Sequence, residues 1–367
     1  MKHTGKLFRA AMPLAIVVMT ACQDSSGPRA SGELNTVQVL ADYSAMDAVR
    51  QSTGWQGFRM AVPQMAASMG FVRSDVAIHA VPLISDAHRG KTFIYDAALH
   101  QWVIDPAATG APANGVRFIT YQPKGAEPDP SKPVGHADLI DLGQASAGIA
   151  LRLIVVEGTL TIVDYQTTLE GAEGSGQVTA AGFIRNPRDQ LDFDIDVRGQ
   201  NAAGVERADI SFELGIAARE FRVTGDVQAS KQNGVESGAV DLSVRHGAHS
   251  FAVDIENQGG TLAGAIDLND SPFALVSGPA QQPVFKRPNG GDMGGAEALV
   301  LWRIFEVTED VFDLFEDLID PIAFSQFLTE TAPGLEFDVM LEAKGKDLAL
   351  LRLRDQLQRE TAGHHRT

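Results

Sequence analysis

Leu191-Asp192-Phe193-Asp194-Ile195-Asp196-Val197-Arg198 decides the fold class. Apolar and charged residues alternate without interruption. Period two is the strand period, so Leu191, Phe193, Ile195 and Val197 share one face and the three aspartates share the other with Arg198. The same pattern recurs downstream. Ile210, Phe212 and Leu214 alternate with Asp209, Ser211 and Glu213, and Phe221 and Val223 with Arg222 and Thr224. Val240, Leu242 and Val244 alternate with Asp241, Ser243 and Arg245, and Phe251, Val253 and Ile255 with Ala252, Asp254 and Glu256. Turn chemistries separate these runs: Glu173-Gly174-Ser175-Gly176, Asn186-Pro187, Asn233-Gly234, His246-Gly247 and Gln258-Gly259-Gly260. The pattern predicts an up-and-down antiparallel meander with one wet face and one dry face.

Moving toward the N-terminus, Phe93–Asp96 and Gln101–Asp105 flank a short loop and predict a hairpin. Asn114-Gly115 opens a strand over Val116–Tyr121, and prolines 123, 128, 130 and 133 predict an extended surface loop. Ile149–Val156 is apolar on both faces, as expected of a central or covered strand. A one-sided sheet must bury its dry face against helices, a second sheet or itself. Met60, Met65 and Met69 lie in a stretch read as short helices with gap-filling core side chains. Beyond the Gly/Pro-rich segment 288–295, residues 296–319 carry an apolar stripe (Leu301, Ile304, Phe305, Phe312, Phe315, Ile319) opposite Glu309, Asp310, Asp313, Glu316 and Asp317. That is an amphipathic helix, ended by Pro321. The expected fold is therefore mainly β: a large, curved antiparallel meander sheet of about ten or more strands, covered by N-terminal helices and one C-terminal amphipathic helix.

The divisions read from the sequence are a signal segment at 1–21, a flexible tether at 22–35 and one β-rich domain at 36–357. Within the domain, 36–70 is helical, 71–278 the meander, 279–328 linker and helix, and 335–355 a hairpin. Residues 358–367 form a disordered tail. The first nine residues hold Lys2, Lys6 and Arg9 and no acid, and Ala10–Ala21 carries no charge. Twelve helical residues reach only about 18 Å, short of a hydrocarbon core of about 30 Å. Met19-Thr20-Ala21-Cys22 resembles the lipobox of bacterial lipoproteins. The resemblance implies cleavage before Cys22, attachment of diacylglycerol and acyl chains such as palmitate to it, and membrane anchoring. Cys22 is the only cysteine, which rules out an intramolecular disulfide or a cysteine-ligated metal cluster. Gln23 follows it, and in lipoproteins of double-membrane bacteria a residue other than Asp there implies the outer membrane.

The chain carries 30 basic and 47 acidic side chains; three of the basic ones precede Cys22, which leaves 27 and a net charge of −20 beyond it. Such a surface repels nucleic-acid phosphates, so nucleic acid is excluded as a partner. The clusters that could carry chemistry each have a plainer reading. Asp192, Asp194 and Asp196 supply only part of a calcium shell and read as a solvated strand face. His246 and His249 flank a tight turn and lack the further ligands of a zinc site. Gly174-Ser175-Gly176 is a turn without the strand-to-helix context of a nucleophile elbow. Gly290-Gly291-Asp292-Met293-Gly294-Gly295 lacks the ending of a phosphate-binding loop and reads as a hinge. No catalytic residue, metal site or cofactor is assigned, and the chain is expected not to be an enzyme.

Three functions stay open. One is a binding module holding an apolar ligand or an envelope protein against the dry face, with Phe193, Phe212, Phe221 and Phe251 lining the site. The second is a structural or interaction protein of the cell envelope with a filled core. The third is a hydrolase with an unrecognised site. A tethered sheet lined by a helix also resembles, in architecture only, the half-barrel carriers of lipids and lipoproteins in the bacterial envelope; that resemblance assigns no residue.

Overall fold

The computed structural model describes residues 84–304, apart from 126, 146, 147, 173, 281, 282, 296, 298, 299, 302 and 303. The expected signal segment, tether, N-terminal helices, distal part of the 296–319 helix, 335–355 hairpin and tail lie outside the described residues. Those described belong to one compact unit, 34–367.

Fifteen strands form a single open sheet. In chain order they are β1 (Lys91–Asp96), β2 (Gln101–Asp105), β3 (Gly115–Lys124), β4 (Glu127–Ala145), β5 (Gly148–Glu157), β6 (Leu160–Ala172), β7 (Ser175–Arg185), β8 (Gln190–Ala202), β9 (Val205–Ile216), β10 (Phe221–Gln232), β11 (Val235–His246), β12 (His249–Gln258), β13 (Thr261–Leu268), β14 (Ser271–Pro279) and β15 (Val284–Lys286). From β3 to β15 each strand pairs with its sequence neighbours, which is the meander expected from the alternation. Two-residue turns set the register. Asn233 and Gly234, at φ 52° and 77°, join β10 to β11, and Gly259 and Gly260, at 59° and 85°, join β12 to β13. Positive φ at both central residues matches the twist of a hairpin, and Asn and Gly adopt it most readily.

The sheet departs from the expectation in three places. It is mixed, because β1 and β3 are parallel. β1 and β2 form the expected hairpin, but the chain then passes one end of β1 through residues 106–114 and enters β3 on the far side. Prolines 128, 130 and 133 lie within β4 and not in a surface loop, with Tyr121 opposite Pro133 and Pro123 opposite Pro128. Register shifts between Thr120 and Pro123 absorb the missing donors. The segment read as a hinge is a hydrogen-bonded turn: Arg287 N–H donates to the Gly291 carbonyl, Lys286 pairs with Asp292, and the Arg287 guanidinium forks onto Glu297. Gly295 begins a helical segment whose Leu301 and Ile304 are buried in the common core. They are the first two members of the expected stripe. Ile149–Val156 lies within β5, between β4 and β6, away from the edges, as expected.

Candidate functional site

The two faces of the sheet differ in chemistry along its whole width. On the dry face, Val116, Leu139, Leu153, Tyr165, Gly182, Phe193, Leu214, Val223, Val244, Phe251 and Leu268 stand in direct register on the eleven strands β3 to β13. The side chains of this row are apolar throughout and buried. Two glycines shape the surface. Gly182 separates Tyr165 from Phe193, and with no side chain between them their rings meet edge to face at 5.5 Å. A Cβ on Gly182 would overlap the Asp164 carbonyl and Tyr165 Cα. The Phe212 ring lies over Gly225, its direct partner on β10. Burial pushes the Tyr165 phenol far above its ordinary pKa, so it stays neutral.

All four phenylalanines singled out in the sequence lie on this face. Phe193, Phe212, Phe221 and Phe251 are 4%, 5%, 2% and 2% exposed and belong to one core cluster. Phe193 and Phe251 share the long row, Phe212 lies one row away, and Phe221 pairs with Ile216 and His246 at the end of the strands. They form a continuous interior surface around the glycines.

Burial falls off toward the opposite end of the strands. Leu169, Val240, Ile255 and Leu262 are only partly buried against the core. Beyond them lies a registered row of small residues, Gly171, Gly176, Gly199, Ala208, Ala229 and Gly238. A polar margin follows, with Asn201 opposite Glu206, Glu206 opposite Lys231, and Lys231 paired to Glu236 at 3.0 Å. The dry face thus grades from sealed core to half-covered apolar surface to charged rim.

The wet face holds the acids. Asp192 accepts a hydrogen bond from Gln190, and Asp196 accepts from Gln177 and Arg198. Asp194 stands opposite Glu213. Asp226, Asp241 and Asp254 lie side by side on β10, β11 and β12, and partial burial with the two neighbouring charges raises the Asp241 pKa. His246 and His249 face each other across the Gly247-Ala248 turn. Among the described residues no group of three or more His, Cys, Asp or Glu is placed to hold a metal ion.

Sequence reading missed the corner built by β1 to β4. Phe93 stacks on Phe118 at 4.7 Å, Trp102 meets Phe118, Tyr95 and Tyr121 at 5.7–5.8 Å, and all five rings are buried. Beside them Arg117 forks onto Asp138 with two bonds of 2.7 Å, and Arg89 reaches Asp141 at 3.1 Å. His136 lies 3.8 Å from Asp138; burial, then the Arg117 charge, hold its pKa below the ordinary histidine value against the pull of Asp138. The aromatic spacing was legible within each strand, but the parallel pairing that brings β1 to β3 had no local signal.

Compared with protein-family models, with curated proteins and with solved structures, the chain matches none. Among the described residues no helix is long and apolar enough to cross a membrane, which says nothing of crossing by strands.

Proposed function

We propose that the chain is a non-catalytic binding module, a lipoprotein anchored through Cys22 that holds an apolar ligand or an envelope protein on the dry face of its sheet. The observation that carries this reading is the apolar row in register across eleven strands, together with its graded edge. Leu169, Val240, Ile255 and Leu262 remain half-covered where the row meets small residues and a charged rim. An exposed apolar margin costs free energy in water and is retained where it meets a partner. Outer-membrane anchoring is proposed from the Cys22-Gln23 pair. The protein purified from membranes is expected to have the mass of a chain that starts at Cys22 and carries acyl groups.

The second reading, a structural or interaction protein with a filled core, is favoured by one observation: the four phenylalanines are each at least 95% buried. The hydrolase reading has no convergent polar cleft among the described residues to support it. Native mass spectrometry of the full chain in detergent, with extraction of bound lipid, separates the first two. A stoichiometric apolar molecule or a co-purified envelope protein supports binding at the dry face. A bare mass, unchanged after incubation with envelope lipids and with no partner recovered, favours the filled core.

A further inference from the structure

Trp102, Tyr95 and Thr120 occupy one row of the aromatic corner, on β2, β1 and β3. Tyr95 pairs directly with Trp102. Phe93 and Phe118 are partners on parallel strands, so two residues further along each strand Tyr95 lies beside Thr120. Across β4 the position opposite Thr120 is Gly135, which adds no side chain. The three side chains are 4%, 3% and 0% exposed. Yet Trp102 Nε1, Tyr95 Oη and Thr120 Oγ1 all lack a hydrogen-bond partner in the protein. The rings of Phe118 and Tyr121 enclose the indole at 5.7 and 5.8 Å, so no other side chain intervenes on that side. Protein interiors pair their buried polar groups almost without exception, so three orphans in one row call for a common partner.

The chemistry of the row specifies that partner. The indole N–H only donates, and the two hydroxyls donate and accept. A cation finds nothing at the indole to bind. An anion is opposed by the Glu127 carboxylate, whose charge, after burial, raises the Tyr95 pKa and keeps that phenol protonated. We propose that the Trp102–Tyr95–Thr120 row is a binding site for one uncharged oxygen, accepting from the indole N–H and bonded to the two hydroxyls. Two sources supply that chemistry: a water molecule enclosed on folding, which needs two to four polar partners, or the hydroxyl, ether or carbonyl oxygen of an organic ligand. The site stands on the corner's own geometry and does not depend on binding elsewhere on the dry face.

The test uses the full chain in detergent, labelled with 15N-tryptophan. Trp55→Phe and Trp302→Phe assign the Trp102 indole by elimination. The expected result is a cross-peak from the Trp102 indole proton to a long-lived water or to a ligand proton. In Thr120→Val, which removes one bond to the oxygen while keeping the side-chain shape, that indole resonance shifts and Tm falls. Mass spectrometry of the solution after denaturation distinguishes the sources: a stoichiometric organic molecule identifies a ligand oxygen, and its absence identifies water. An indole proton with neither cross-peak overturns the proposal. A Thr120→Val chain with an unshifted indole and a raised Tm overturns it equally, since that is how an unpaired buried hydroxyl behaves on removal.

Discussion

The meander from β6 to β13 and the corner from β1 to β5 belong to one sheet but are held together differently. Across β6 to β13 the register runs without a shift through seven strand pairs. Its charges pair on the wet face at exposed positions, as in Arg207–Asp209 and Arg222–Glu213. The corner carries register shifts in every pair from β3–β4 to β5–β6, a parallel pair, and ion pairs whose carboxylates are nearly buried. The meander is specified locally, by alternation and turns, so its stability is carried by the dry face. The corner is specified by contacts between segments distant in sequence, so polar pairing matters there.

That contrast can be broken first at the dry face. Phe193→Ala opens a cavity beside Tyr165 in a fully packed row and is expected to destabilise the fold by about 3–5 kcal/mol in denaturant unfolding. A loss below about 1 kcal/mol would mean that the row is not the core of the meander. The next test compares ion pairs. Arg117→Ala leaves the Asp138 carboxylate buried without its fork, at a cost of about 3–5 kcal/mol. Arg207→Ala removes an exposed pair worth about 0–1 kcal/mol. Equal losses would erase the distinction between the regions.

A smaller effect appears in pH titration. His136 has a folded pKa below its ordinary 6.5, so the unfolded chain binds the proton more tightly. Stability is therefore unaffected by this group above pH 6.5 and falls as the pH drops from there through the depressed value. His136→Gln should flatten that part of the profile, measured as Tm against pH; an unchanged slope would mean that His136 does not set it. The smallest effect belongs to the wet face. Asp241 lies between Asp226 and Asp254 and has a raised pKa, so its ionised form costs the folded state stability at neutral pH, and that cost disappears below the ordinary value of 3.8. Asp241→Asn should raise Tm slightly at pH 7 and not at pH 3. A lower Tm at pH 7 would show that the three carboxylates do not repel.

The same division governs what the sequence revealed. Leu191–Arg198 and its relatives declared strand, face and turn through side-chain period and through Asn233-Gly234 and Gly259-Gly260, each signal lying within a dozen residues of the strand it defines. Alternation alone is therefore enough to put Phe193, Phe212, Phe221 and Phe251 on a common face. Partnership across the corner was not legible. Nothing near Phe93 announces Phe118 as its neighbour, and Arg117 and Asp138 lie 21 residues apart with no periodic link. Prolines 128, 130 and 133 misled for a related reason: a proline opposes pairing in general, but next to a register shift its missing N–H is not required. The graded edge has no local signature either, because Gly171, Gly176, Gly199 and Gly238 read as ordinary strand glycines until register aligns them.

The most direct test of the dry face as a binding surface is photo-crosslinking in the intact chain in bacterial membranes. A photoreactive phenylalanine replaces half-covered Ile255 in one variant and its outward neighbour Asp254 in another. The expected result is an adduct with an apolar molecule or an envelope protein at position 255 and none at 254. Adducts at 254 with none at 255 would place the working surface on the acidic face and contradict binding on the dry one.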